Sequence, residues 1–159
     1  MNFLQKNYKF AKKSLFPICR SITGNGIQKS LNLIKKKFPD LKIKKIKSKK
    51  KVFDWSVPPE WNVKDASIID ENDKKIIDFK INNLHLVSFS QRINKTVNKR
   101  ELLKHLHFRK DLPDAIPYVT SYYKKYWGFC LSYNQYKKIL KKYNNTSKFK
   151  INIDTNFKK

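Results

Sequence analysis

The stretch DASIIDENDKKIIDF, residues 65–79, decides how this chain is read. Two short runs rich in isoleucine flank Glu71-Asn72-Asp73, and Asn and Asp tolerate the left-handed backbone that a tight hairpin requires. The segment therefore predicts an antiparallel hairpin at the centre of a β-rich region. Working outward, VFDWSV (52–57) and HLVSFS (85–90) read as further strands, and residues 127–131 as a buried strand or tight turn. KFKINID (148–154) alternates Phe149, Ile151 and Ile153, the period of a strand with one buried face. Toward the N-terminus, Leu41, Ile43 and Ile46 stand among lysines, which predicts an extended strand with one wet face.

Helical spacing appears at both ends of this β region. Phe3, Leu4, Tyr8, Ala11 and Leu15 recur at mostly three- and four-residue intervals with lysines between them, an amphipathic helix that Pro17 ends. SITGNG (21–26) then supplies two glycines and an Asn for a turn, and Ile27, Leu31 and Ile34 restart the helical period up to Phe38-Pro39. Asn98 with Glu101 forms a capping-box pattern for a helix through Leu106, and a last helix is expected over residues 134–143. The fold class expected is α+β.

Charge is the most extreme property of the composition. There are 37 Lys+Arg against 12 Asp+Glu in 159 residues, a formal net charge of +25. Such a field attracts nucleic acid or anionic polymers by counterion release. The excess is nearly all lysine, with arginine only at 20, 92, 100 and 109, although guanidinium is the better fork for phosphates. The expected consequence is weak, nonspecific polyanion binding. With 40% apolar and 14% aromatic residues the chain is too hydrophobic for a disordered polyelectrolyte. Cys19 and Cys130 are far apart with no CxxC spacing, which argues against a disulfide scaffold or zinc knuckle. The start MNFLQKNYKFAKK has no continuous apolar core and no later run approaches ~18 apolar residues, so no membrane association and a cytoplasmic location are expected.

Catalytic chemistry is thinly represented. His105 and His107, two apart on the expected helix, point to different faces and cannot share a metal, while His85 in an apolar run reads as a satisfied core histidine. Asp54, Glu60, Asp65 and Asp70 fall at strand ends and turns, where carboxylates cap backbone rather than work as acid and base. Gly24-Asn25-Gly26 opens a helix, yet it lacks the spacing and the lysine of a phosphate loop. Trp55, Trp61, Tyr118, Tyr122, Tyr123, Tyr126 and Trp127 are either core or a ligand groove.

Five stretches in this order are distinctive: FPICRSITGNGIQKSL (16–31), KVFDWSVPPEWNV (51–63), IIDF (76–79), NNLHLVSFS (82–90) and DAIPYVTSYYKKYWGFCLS (114–132). Together they resemble a bacterial and archaeal family of aminopeptidase-like proteins, domains of unknown function often found beside polysaccharide-biosynthesis genes. The resemblance spans nearly the whole chain. It implies a zinc-aminopeptidase α/β domain interrupted early by a small β-rich insertion. By that resemblance residues 1–48 are the start of the aminopeptidase-like domain with its N-terminal helices, 49–147 the inserted β-rich domain, and 148–159 the returning strand of a partial α/β sheet. Gln28 departs from the family's basic residue, and Lys49-Lys50 replace a Gly-Thr-like turn.

The resemblance also implies where the chemistry lies. The family's metal-binding run, His-x-Cys-His-Pro with a nearby Asn-Asp-Asn, is expected just beyond the strand that appears here as Ile153-Asp154-Thr155. Zinc is thus expected in full-length relatives, with no cofactor, no metal ligand and no catalytic residue in this chain. Arg20, Ser21, Thr23 and Gly24 are the expected contributors to a substrate pocket. The expected function is an N-terminal, inactive fragment of an aminopeptidase-like protein, partnered by the missing C-terminal part of the peptidase domain. A basic binding module for nucleic acid or acidic polysaccharide is the alternative.

Overall fold

The computed structural model describes residues 2–122 and 124–158 and shows an α+β chain in two compact units, residues 1–62 with 157–159 and residues 63–156. Tyr123 lies outside the described residues. No helix among the described residues is long and apolar enough to cross a membrane.

The first unit begins with α1 (Phe3–Phe10), whose Asn2 side chain accepts from the Gln5 amide in a reciprocal capping box. A π-helical turn, Ala11–Leu15, extends it toward Pro17. After the SITG turn comes α2 (Asn25–Lys37). The alternation over residues 41–47 does not form a strand: this segment runs without turn or bend and pairs with nothing among the described residues. VFDWSV is not a single strand either. It folds back at Phe53-Asp54 into a small hairpin, β1 (Lys51–Val52) against β2 (Trp55–Ser56). Phe53 holds φ +54 at its tip with its side chain fully exposed.

The second unit is built on a four-stranded sheet. β3 (Glu60–Ile69) enters it from the first unit, and β4 (Lys75–Asp78) pairs antiparallel with β3 around the 70–74 turn, as the sequence predicts. The hairpin register sets Ile68 opposite Ile77. β5 (Ile93–Asn98), which the sequence reading missed, pairs antiparallel with the C-terminal β8 (Lys148–Lys158), and the sheet order is β4-β3-β8-β5. Phe149, Ile151, Ile153 and Thr155 are all buried, so the period-2 pattern of β8 places alternate side chains in the core. Burying each such apolar side chain stabilises the unit by about 1.5–3 kcal/mol.

HLVSFS is an irregular segment rather than a strand. It starts in a 3-10 turn over Asn83–His85, makes isolated bridges at Leu86 and Ser88, and holds Phe89 at φ +66. The helix capped by Asn98 is α3 (Lys99–Leu103), shorter than expected; the Asn98 side chain accepts from the Glu101 amide, but the Glu101 carboxylate turns to Lys104 and His105 instead of back to the cap. β6 (Leu106–His107) then runs parallel to β7 (Phe129–Cys130), and α4 (Tyr133–Lys142) follows with a Ser132–Gln135 capping box. Ala66, Ile68, Leu102, Phe129, Leu131 and Phe149 are fully buried and mark the core of this unit.

Candidate functional site

In the first unit, the residues singled out from the sequence meet a cleft of about 930 Å³. Gly24 is the residue that allows it to close up. Its φ is +96, and a Cβ there would sit 2.2 Å from the Trp61 carbonyl oxygen, so any other side chain would drive the turn away from the start of β3. The neighbouring bonds lock the same junction. Thr23 Oγ1 donates to the Pro59 carbonyl at 2.9 Å, and the Asn25 amide donates to Asn62 Oδ1 at 2.7 Å, capping α2 with a residue 37 positions away. Ser21 Oγ donates to the Thr23 carbonyl at 2.7 Å, and an Arg20 guanidinium N–H donates to the Leu15 carbonyl.

Thr23 and Gly24 therefore line the cleft, whereas Arg20 and Ser21 brace the turn behind it. The floor is apolar, with Ile27, Leu31, Ile43, Trp55 and Val57, and Lys35, Lys44, Lys45 and Lys47 add positive charge around it. Among the described residues only Glu60 brings a negative group to the lining. The cleft thus combines apolar contact with attraction for anions, and among the described residues its wall carries no pair of carboxylates and no histidine or cysteine.

The remaining titratable groups are committed elsewhere. Burial pushes the Cys19 thiol up to about 11 against the opposing pull of Arg20, and burial pushes Cys130 up to about 12, so neither offers a thiolate near neutral pH. Burial also lowers the His85 pKa, and its Nδ1 donates to the Cys130 carbonyl at 2.7 Å. His105 stacks on Trp127 with centroids 3.7 Å apart; its Nδ1 donates to the Trp127 carbonyl at 2.8 Å and its Nε2 faces Glu101 at 3.2 Å. His107 Nε2 instead meets the Tyr126 hydroxyl at 2.9 Å, and burial, aided by His105, lowers its pKa. Among the described residues no three His, Cys, Asp or Glu side chains converge as metal ligands do.

The aromatic residues divide. Trp61 and Trp127 are buried, Trp55 lies on the cleft wall, and Tyr118 is exposed. Asp154, beside the sequence landmark Ile153, lies in a smaller polar recess of about 310 Å³ in the second unit, 3.5 Å from Arg92 and 4.0 Å from Lys64. Sequence reasoning missed Asn62 as the distant cap of α2 and Lys99 as a buried cation. The capping-box spacing of Ser132 and Gln135 was readable. The position of Asn62 opposite α2 had no local signal.

This architecture is that of an α+β domain found in peptidase-like proteins. It matches the crystal structure described as that of a "putative peptidase" from Clostridium acetobutylicum with a TM-score of 0.85 and 44% identity, covering 97% of this chain and 35% of that one. A "Putative polysaccharide biosynthesis protein with aminopeptidase-like domain" from the same species is 50% identical over 127 residues, which is 80% of this chain and 29% of the relative. The chain belongs to the family described as "Domain of unknown function (DUF2172)", whose model matches residues 60–156. It spans about a third of the length of the proteins it resembles.

Proposed function

We propose that this chain is the N-terminal, non-hydrolytic part of an aminopeptidase-like protein of uncharacterised substrate. The observation that carries this reading is its 50% identity to a relative three times its length whose name includes an aminopeptidase-like domain. In this reading the second unit is a structural domain, and the SITG turn contributes to the substrate region, with Thr23 and Gly24 on its wall and Arg20 and Ser21 holding the turn in place. In this reading zinc and the hydrolytic groups of the longer protein belong to residues outside this chain. A cytoplasmic location is part of the proposal, on the ground that both cysteines are free thiols.

Elemental analysis and a leucyl-p-nitroanilide assay on the purified chain test this directly. Stoichiometric zinc together with turnover of the anilide overturns it.

A second reading, a module for nucleic acid or acidic polysaccharide, draws on the lysines around the cleft. Titration of binding against salt discriminates the two. Binding of an acidic polysaccharide that persists near physiological salt favours the module, whereas binding that salt erases reflects lysine excess alone.

A further inference from the structure

Asn25-Gly26 is the one place in the sequence where an asparagine precedes a glycine. The pair is chemically labile, because a glycine nitrogen has no Cβ beside it to hinder its approach to the asparagine side-chain amide. Inside a helix the backbone protects such an amide by tying the following N–H to the carbonyl four residues back. Here it does not. Asn25 is the first residue of α2 and Gly26 the second, so the Gly26 N–H falls in the first turn, where a helix offers no internal acceptor, and no other group among the described residues takes it. The Asn25 side chain is exposed and makes no hydrogen bond among the described residues. The glycine itself is fixed by packing, since a Cβ at residue 26 would lie 1.8 Å from the Cys19 carbonyl oxygen.

We infer that Asn25 is a site of spontaneous deamidation in the folded chain, with the Gly26 nitrogen as nucleophile and water as co-reactant. The Gly26 nitrogen gives up its proton and bonds to Asn25 Cγ, the Cγ–Nδ2 bond breaks, and Nδ2 leaves as ammonia with that proton. The cyclic imide that remains adds water at either of its two carbonyls. Opening at the bond to Cγ leaves aspartate, and opening at the bond to the main-chain carbonyl leaves isoaspartate, whose peptide link runs through the side chain. Nothing is oxidised or reduced. The two products differ in consequence. Aspartate puts a negative charge in the first turn of α2, where the helix dipole favours it. Isoaspartate adds a methylene to the main chain between residues 25 and 26, so α2 no longer starts against Asn62, whose Oδ1 accepts from the Asn25 amide at 2.7 Å, and Gly24 loses its seat beside the Trp61 carbonyl.

The test is to hold the purified chain, folded and in urea, in mildly alkaline buffer and then digest it with trypsin. Chromatography and mass spectrometry resolve the peptide 21–29, in which Asn25 is the sole asparagine, into its asparagine, aspartate and isoaspartate forms. Conversion in the folded chain is expected within about tenfold of the rate in urea, because frayed helix ends open at little cost in free energy. The peptides carrying Asn82-Asn83 and Asn144-Asn145 stay unchanged over the same time. Asn25→Gln, whose longer side chain closes a ring far less readily, leaves the peptide 21–29 unconverted. The isoaspartate fraction melts below the unmodified chain, and the Asn25→Asp variant does not.

Conversion in the folded chain slower than that overturns the inference, since the helix start then guards the pair as a helix interior would. Equal conversion at Asn82-Asn83 or Asn144-Asn145 overturns it too, because it removes the role of Gly26. So does conversion of the Asn25→Gln variant, which moves the change to a glutamine. An isoaspartate fraction that melts with the unmodified chain overturns the displacement of α2 from Asn62.

Discussion

The Tyr143 hydroxyl donates to Asp70 Oδ2 at 2.7 Å, joining the turn of the β3–β4 hairpin to the end of α4 across 73 positions of sequence. Lys142 Nζ stands 3.2 Å from the same oxygen, and Asp70 Oδ1 accepts from the amides of Asn72 and Lys74 at 3.0 and 2.9 Å. Glu71 adds a parallel link, accepting from Ser147 Oγ at 3.1 Å and from the Lys148 amide at 3.3 Å. The turn is therefore both closed locally and tied to the last helix and strand of the unit.

Burial works against ionisation of Asp70, but the hydrogen bonds from Tyr143, Lys142 and the two amides outweigh it and hold its pKa at about 2, below the ordinary 3.8. A depressed folded-state pKa means stability that is present above pH 3.8 and lost as pH falls toward 2. The contribution near neutral pH is about 2 kcal/mol. Asp70→Asn is expected to lower the urea-unfolding free energy by that order at pH 7 and by much less at pH 2, and equal losses at both pH values would refute the assignment.

Lys99 is a buried cation whose ammonium donates to the Leu140 carbonyl at 2.9 Å and to the Tyr143 carbonyl, so it caps the C-terminal end of α4. A positive charge there also complements the helix dipole. Lys99→Met removes the donor to the buried Tyr143 carbonyl and the part-buried Leu140 carbonyl and is expected to cost about 1–3 kcal/mol. Chemical denaturation followed by tryptophan fluorescence measures it, and an unchanged midpoint would exclude the cap.

Gly24→Ala introduces a Cβ 2.2 Å from the Trp61 carbonyl oxygen at a residue with φ +96. The combined clash and left-handed strain are expected to destabilise the first unit by at least ~1–3 kcal/mol. Thermal melting compared with Gln28→Ala, on the same cleft, isolates the backbone effect from loss of a lining side chain.

With pKa values of about 11 and 12, Cys19 and Cys130 are expected to resist iodoacetamide at pH 8 in the folded chain and to react fully in denaturant. Mass spectrometry after a short pulse counts the adducts. Rapid native labelling of Cys130 would show that its buried position on β7, beside β6, opens readily.

The hairpin at residues 70–74, the alternation of β8 and the amphipathic period of α1 and α2 were legible because their signals are local: turn chemistry and residue period act within a few positions. The same local logic misread HLVSFS, whose apolar run fits the core through isolated bridges and a left-handed Phe89 instead of a ladder. It also missed β5, because INKTVN buries only Val97 completely and shows little apolar pattern.

Composition, period and capping residues by themselves determined that this is a basic α+β chain with its hairpin at residues 70–74 and its helices near the places observed. Tertiary structure alone decided that Gly24 meets Trp61, that Asn62 caps α2, that Lys99 caps α4 and that residues 41–47 join no sheet among the described residues. Each of these depends on which distant backbone groups come to lie within hydrogen-bonding range, and a strand in particular exists only when a second one supplies the other half of its ladder.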